Sequence, residues 1–168
     1  NVCHMKHPPR SSASARRAKT AAKDDRGQGR IRLLLVDDHP VVREGLRSCL
    51  VADGRFLIVG EASSGEAALR KIKRLQPQVV LMDINLPGMT GLEATTRLQT
   101  LAPGVKVLIL SVHDRREYVQ QVARCGARGY VLKDASPAEL IRAIYTVLRG
   151  GTYFSRRVAA ALRSEEHT

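Results

Sequence analysis

The sequence has no tryptophan, and aromatic residues make up only 4% of its 168 positions. It therefore lacks the stacked aromatic side chains with which proteins usually hold single-stranded nucleic acid. No apolar run approaches the roughly 20 residues of a membrane-spanning helix, and residues 1–30 contain no apolar segment typical of a secretory signal. We predict a soluble chain that stays in the cytoplasm and has no membrane partner.

Cysteine is also scarce, and its placement is informative. Cys3, Cys49 and Cys125 are odd in number and widely separated, and no C-x-x-C pair occurs. This pattern excludes a disulfide framework and is typical of proteins from a reducing compartment, which agrees with the predicted cytoplasmic location.

Charge is plentiful but unevenly placed. The formal net charge is +12, and residues 1–30 carry eight Lys or Arg against two Asp, which is half of the excess. The same segment is rich in Ala, Ser, Arg, Pro and Gly, so it cannot bury enough apolar surface to offset the entropy of ordering. We predict a disordered basic tail over residues 1–30 and not a folded basic surface.

From residue 31 onward, short runs rich in Val, Ile and Leu alternate with longer amphipathic segments. Such runs are typical of strands buried on both faces; they occupy residues 31–36, 56–60, 79–82, 105–110 and 129–132. A helix-start pattern, in which Ser, Thr or Asp is followed three residues later by Glu, occurs four times between them, at Ser63/Glu66, Thr90/Glu93, Asp114/Glu117 and Ser136/Glu139. Pro40 and Pro137 stand where a first helical residue belongs.

Five strand–helix units of this size imply a parallel sheet with helices on both faces. A closed barrel of eight units would need about 250 residues, which is more than the chain has. We therefore predict a flavodoxin-like (βα)5 open sheet with strand order 2-1-3-4-5 over residues 31–150. In such sheets, ligands bind at the carboxyl ends of the strands, where the strand order reverses.

Polar residues able to do chemistry stand at those strand ends. Asp37 and Asp38 follow the first strand, Asp83 the third, Ser111 the fourth and Lys133 the fifth. Three neighbouring carboxylates repel one another unless a cation joins them, and hard oxygen ligands suit Mg²⁺. Lys133 and Ser111 would then contact phosphate oxygens, while Asp83 would be the nucleophile toward phosphorus. Each residue alone also has an ordinary explanation, as a helix cap, a turn former or a solvated strand end.

The stretches of sequence around these residues resemble a known family. Residues 31 to about 155 resemble the receiver domain of two-component response regulators, in particular the NarL/FixJ branch with a LuxR-type output domain. Four stretches carry the resemblance: LLLVDDHPVVREGL (33–46), VVLMDINLPGMTGLEATTRL (79–98), LILSVHD (108–114) and GARGYVLKDASPAELIRAI (126–144).

The resemblance implies a phosphorylation site with a metal ion. Asp83 matches the phospho-acceptor of the family. Asp38 is expected to bind Mg²⁺ directly and Asp37 through water, and the main-chain carbonyl of Asn85 is expected to complete the metal shell.

The resemblance also implies a switch. Ser111 matches the switch hydroxyl and Lys133 the phosphate-binding lysine, while Tyr130 matches an aromatic residue that turns inward when the hydroxyl moves toward the phosphate. A second interpretation of Tyr130 is a residue at the edge of the core with a hydrated hydroxyl.

The partners follow from the same resemblance. They are a sensor histidine kinase, a second copy of the chain on phosphorylation, and DNA only through a C-terminal helix-turn-helix domain that is absent here. Residues 150–162 resemble the start of the connector to that domain, so we expect residues 151–168 to open the linker and 163–168 to be non-native. The chain is not expected to be an enzyme, beyond removing its own phosphate.

Three alternatives remain open from the sequence. One is a stand-alone receiver that acts through protein contacts alone. A phosphatase of the haloacid-dehalogenase type would need a second acid two residues after its nucleophile, where Asn85 stands. A flavin carrier would need a phosphate-cradling loop after the first strand, where the carboxylates of Asp37 and Asp38 would repel phosphate.

Overall fold

The strands form where the short apolar runs predict them, because Val, Ile and Leu suit a sheet that is covered on both sides. The computed structural model describes residues 29–163, so nearly all of the tail predicted for residues 1–30 lies outside the described residues, as do residues 164–168. The strands are β1 (Ile31–Val36), β2 (Phe56–Ala62), β3 (Val79–Asp83), β4 (Lys106–Ser111), β5 (Gly129–Leu132) and β6 (Tyr153–Phe154).

All six strands are parallel, and their order in the sheet is β2-β1-β3-β4-β5-β6. The flavodoxin-like order predicted for the first five strands is thus confirmed. The sixth strand was not predicted, because two residues are too few to show a periodic pattern. It lies close to β5: a Cβ added at Gly129 would stand 2.6 Å from the Tyr153 carbonyl oxygen.

Helices cover both faces of the sheet, as predicted. Apolar residues of the first and fifth helices share one buried cluster with alternate strand residues, and those of the other four share the cluster on the opposite face. The helices are α1 (Pro40–Asp53), α2 (Gly65–Leu75), α3 (Gly91–Leu101), α4 (Arg116–Arg124), α5 (Pro137–Leu148) and α6 (Arg156–Arg163). Within residues 29–163, no helix is both long and apolar enough to cross a membrane.

Two of the four predicted helix caps are confirmed. The side-chain oxygens of Thr90 and Ser136 each accept a hydrogen bond from the main-chain N–H three residues later, at 3.2 Å. Pro40 and Pro137 also lie in the first helical position, where a missing N–H leaves no bond unmade.

The other two caps were predicted wrongly. Helix α2 begins at Gly65, so Ser64 and not Ser63 is the cap, and its Oγ accepts from the Ala67 N–H at 3.1 Å. Helix α4 has no side-chain cap in the structure. The carboxylate of Asp114 instead binds the guanidinium of Arg157 at 2.8 Å. The Asp114 side chain, which the local pattern assigned to the helix start, is thus paired with a residue 43 positions later in the chain.

The loop from β3 to α3 is tightly closed at Gly91. Its N–H donates to the Ile84 carbonyl at 2.8 Å, and an added Cβ would stand only 1.9 Å from the Asp83 carbonyl oxygen. A side chain at position 91 would therefore collide with the backbone at the end of β3, which also carries the Asp83 carboxylate.

We predict that Gly91→Ala lowers the free energy of unfolding by roughly 2 kcal/mol, because the clash is with backbone and cannot be relieved by a rotamer change. The matched control is Gly45→Ala, at an exposed position of α1 where an added Cβ meets nothing within 4 Å. This substitution should raise stability by roughly 0.5–1 kcal/mol. Urea unfolding of both variants measures the two effects, and equal stabilities would contradict the prediction.

Candidate functional site

Two nearly buried carboxylates share one ammonium group at the carboxyl edge of the sheet. Asp37 follows β1 and is 2% exposed, and Asp83 ends β3 and is 3% exposed. Lys133, directly after β5, places its Nζ 2.7 Å from Asp37 Oδ2 and 3.2 Å from Asp83 Oδ2. The parallel topology brings these three side chains together from positions up to 96 residues apart in the chain.

A third carboxylate and an imidazole complete this acidic cluster. Asp38 is partly exposed, and its Oδ1 lies 2.9 Å from Nδ1 of His39, which is also 3.1 Å from Asp37 Oδ1. One ligand atom from each of Asp37, Asp38, His39 and Asp83 can be chosen so that all four lie within 4.8 Å of one another. His39 precedes α1 as its N-cap residue but makes no side-chain capping hydrogen bond.

His39 is a member of this cluster that the analysis of strand ends did not include among the possible metal ligands. The signal that could have found it is its position directly after the acidic pair. Its side chain is 63% exposed, so it closes the outer side of the cluster, while Asp37 and Asp83 form the inner side.

The electrostatics of the two inner carboxylates differ. Burial alone would raise the pKa of Asp37, but hydrogen bonds from Lys133 and the His39 main-chain N–H, together with the ammonium charge, hold it below its usual value. For Asp83, burial dominates and, with the negative charge of Asp37, raises the pKa despite the nearby ammonium. Burial would lower the pKa of Lys133, yet its hydrogen bond to Asp37 and the charge of Asp83 raise it.

The residues present fit a hard divalent cation. Asp38 Oδ1 and Asp83 Oδ2 are buried atoms that lie 2.9 Å from His39 Nδ1 and 3.2 Å from Lys133 Nζ, but they accept no well-directed hydrogen bond from any described residue. Buried carboxylates are costly unless their charge is balanced, and the single Lys133 ammonium does not balance Asp37, Asp83 and the neighbouring Asp38. The atoms that could bind the ion are predominantly carboxylate oxygens, which Mg²⁺ prefers over softer ligands.

Asn85 lies on the loop after β3 and Ser111 at the end of β4, the positions that the sequence predicts. Asn85 is exposed; its main-chain N–H lies 3.3 Å from Asp83 Oδ1 and its side-chain amide 3.4 Å from His113 Nε2. Ser111 is fully buried at the end of β4, and its Oγ accepts the His113 main-chain N–H at 3.1 Å. The Lys133 main-chain N–H donates to the Ser111 carbonyl at 2.9 Å, which joins the two strand ends.

Tyr130 is fully buried in β5, and its hydroxyl donates a hydrogen bond to the His113 carbonyl. The imidazole of His113 in turn stacks on the Tyr118 ring, with the centroids 5.1 Å apart. The aromatic side chain expected to turn inward therefore already lies inside in this structure, and its hydroxyl has a main-chain carbonyl as its acceptor.

The segment of sequence that contains these residues matches a known protein family. Residues 33–145 match the family described as "Response regulator receiver domain". The chain belongs to the response-regulator receiver family. The resemblance to receiver domains is thereby confirmed, and the match includes every residue of the site described above.

Curated relatives of this receiver domain include proteins named as transcriptional regulatory proteins. The chain is 43% identical over 136 residues to the transcriptional regulatory protein MctR of Rhizobium johnstonii, which covers 81% of this chain and 64% of MctR. It is 39% identical over 138 residues to the transcriptional regulatory protein DegU of Brevibacillus brevis, which covers 82% and 58%. The chain thus spans about three-fifths of the length of these relatives.

Solved structures agree with this assignment. A two-component response regulator of the LuxR family from Aurantimonas sp. SI85-9A1 superposes with a TM-score of 0.79 at 34% identity, covering 83% of this chain and 99% of that one. A DNA-binding response regulator of the LuxR family from Staphylococcus aureus gives 0.66 at 30% identity, covering 70% and 98%. This receiver domain is therefore related to the LuxR-type branch, as its sequence indicates.

The burial of Asp83 predicts a pH-dependent stability in the absence of divalent cations. Because its pKa is raised in the folded state, folding is favoured below the usual carboxyl pKa, and this advantage is lost as pH rises through the folded-state value. Asp83→Asn removes the charge, so with EDTA at pH 7 it should unfold at a higher temperature than the wild type. The difference should shrink toward pH 4.

Thermal unfolding followed by circular dichroism between pH 4 and pH 8 tests this. Asp114→Asn is the matched control, because that carboxylate is exposed and paired with Arg157; its loss should not stabilise the fold. An Asp83→Asn variant less stable than the wild type at pH 7 in EDTA would contradict the prediction.

Proposed function

We propose that this receiver domain accepts a phosphoryl group on Asp83 in the presence of Mg²⁺ and that the modification switches its contacts. The observation that carries the proposal is the state of the Asp83 carboxylate. It is almost wholly buried at the carboxyl edge of the sheet, and the contact of its Oδ2 is an ion pair with the Lys133 ammonium, 3.2 Å away, which Lys133 shares with Asp37.

The chemistry is the transfer of a phosphoryl group from a phosphorylated donor. A carboxylate oxygen of Asp83 attacks phosphorus, the bond from phosphorus to the leaving atom of the donor breaks, and the electron pair of that bond stays with the donor. Asp83 thereby becomes an aspartyl phosphate. The Lys133 ammonium screens the repulsion between the carboxylate and the incoming phosphoryl oxygens and then pairs with one of those oxygens.

Asp37, Asp38, Asp83 and the main-chain carbonyl of Asn85 are the groups that would hold Mg²⁺. The bound ion supplies positive charge that offsets the charge of the phosphoryl oxygens. Asp37 stays ionised for this purpose because Lys133 and the His39 N–H hold its pKa down. His39 stands at the solvent side of the cluster, where it limits access to the acidic pair.

The switch runs from the new phosphate to β5. The Ser111 hydroxyl would turn toward a phosphate oxygen, and the His113 N–H that it now accepts would be released. Since Tyr130 is already inside and bound to the His113 carbonyl, phosphorylation would stabilise an inward arrangement that exists beforehand and would not create it. This is a shift between existing populations.

The wider role is that of a transcription regulator controlled by a sensor histidine kinase. The support is indirect: MctR and DegU bear the name of transcriptional regulatory proteins, and both are longer than this chain. In this proposal, DNA is bound through a C-terminal helix-turn-helix domain and phosphorylation favours a homodimer. Residues 151–168 lead on to that domain, after first adding β6 to the sheet and packing Val158 into the core. The alternative is a receiver acting through protein contacts alone, and the complete reading frame distinguishes the two.

The test is intact-mass analysis after incubation with acetyl phosphate, with and without Mg²⁺. We expect the wild type to gain one phosphoryl group only when Mg²⁺ is present, and Asp83→Asn to gain none, because an amide is not a nucleophile toward phosphorus. Asp114→Asn is the matched control: this exposed carboxylate lies on the loop after β4, and the variant should be labelled like the wild type.

Two results would count against the proposal. Labelling of Asp83→Asn at the wild-type level would show that another residue accepts the phosphoryl group. Absence of labelling in the wild type, with no effect of Mg²⁺ on its thermal stability, would mean that the pocket does not accept phosphate.

A further inference from the structure

An arginine outside the acidic cluster holds the backbone of the loop that carries the acidic pair. Arg43 lies one turn into α1, and its side chain is only 19% exposed. Its guanidinium donates a hydrogen bond to the main-chain carbonyl of Asp37. Because that carbonyl belongs to the peptide joining Asp37 to Asp38, the contact restrains the orientation of both residues.

The same loop is held from its other side by the sheet. The Asp37 main-chain N–H donates to the Ala62 carbonyl at 3.1 Å, at the end of β2. Asp37 therefore has its N–H fixed by β2 and its carbonyl fixed by Arg43. Both contacts fall on the main chain of Asp37, so neither of them occupies a carboxylate oxygen of Asp37 or Asp38.

A glutamate on β2 forms an ion pair with Arg43. Glu61 Oε1 lies 3.6 Å from Arg43 Nε, while its Oε2 accepts from Arg47 Nη2 at 2.5 Å. The Glu61 carbonyl accepts from Lys71 Nζ at 2.6 Å, which ties β2 to α2. Glu61 carries one negative charge and pairs with both arginines, so it offsets part of the positive charge that would otherwise weaken the attraction of the acidic cluster for a cation.

We propose that Arg43 is a positioning residue of the metal site: by holding the Asp37 carbonyl from α1 while pairing with Glu61, it sets the orientation in which Asp38 and Asp37 meet Mg²⁺. The inference rests on the proposed function, since it assumes that these carboxylates hold the ion. Groups that orient metal ligands through hydrogen bonds commonly change metal affinity by about 10–100-fold when they are removed.

Arginine is suited to this task and lysine is not. The guanidinium is planar and presents donors in fixed directions, so one group can bind a carbonyl and a carboxylate together. Arg47 supplies the contrast: one helical turn further along α1, it binds Glu61 but makes no contact with the Asp37 carbonyl. A role in joining α1 to β2 is shared by both arginines, whereas a role in orienting the acidic pair belongs to Arg43.

The experiment compares Arg43→Ala with Arg47→Ala in two Mg²⁺ titrations. One follows the initial rate of labelling by acetyl phosphate, and the other follows the rise in unfolding temperature without any phosphoryl donor. For Arg43→Ala we expect the half-saturating Mg²⁺ concentration to increase about tenfold in both, with the labelling rate at saturating Mg²⁺ little changed. Arg47→Ala should stay within about twofold of the wild type.

If Arg43→Ala folds poorly, the same titrations are made with Arg43→Lys. It keeps the charge beside Glu61 but cannot hold both acceptors with fixed geometry, so it should also require more Mg²⁺ than the wild type. Equal Mg²⁺ requirements for the wild type, Arg43→Ala and Arg43→Lys would overturn the inference, and so would equal shifts for the alanine variants of both arginines. A wild type that responds to Mg²⁺ in neither titration would overturn the proposed function, and this inference with it.

Discussion

The Lys133 ammonium lies between the Asp37 and Asp83 carboxylates, and the geometry of the site depends on that contact. Two carboxylates that are 2–3% exposed repel each other strongly where little water screens them. Lys133 pairs with both, yet one positive charge cannot neutralise two buried carboxylates and the nearby Asp38. The folded domain thus keeps a local excess of negative charge, which favours a cation such as Mg²⁺.

The parallel sheet is what makes this concentration of charge possible. Carboxyl ends of neighbouring parallel strands meet at one edge, so β1, β3 and β5 contribute their polar ends to the same place. The loops there are also tightly built. Gly91 closes the loop after β3 against the Asp83 carbonyl, and Arg43 holds the loop after β1. The positions of the clustered carboxylates are therefore set by main-chain contacts as well as by their own hydrogen bonds.

Much of this could be predicted from the sequence, because strand ends and helix caps are local patterns. The strand order and the residues that gather around Lys133 follow from them. The failures involve distant or very short features. Asp114 does not cap α4 because Arg157, 43 residues later in the chain, takes its carboxylate. β6 has only two residues, and the contact of Arg43 with a main-chain carbonyl has no signature in the order of residue types.

The ion pairs of Arg157 also connect the site with the end of the described chain. Asp114 follows His113, whose carbonyl accepts the Tyr130 hydroxyl, and Asp134 follows Lys133; Arg157 in α6 contacts both carboxylates. Exposed ion pairs of this kind contribute little stability, about 0–1 kcal/mol each, so they can be remade at small cost. The buried Val158 side chain anchors the same helix in the core. Helix α6 is therefore held to the core by a buried apolar side chain and to the two loops only by exposed ion pairs.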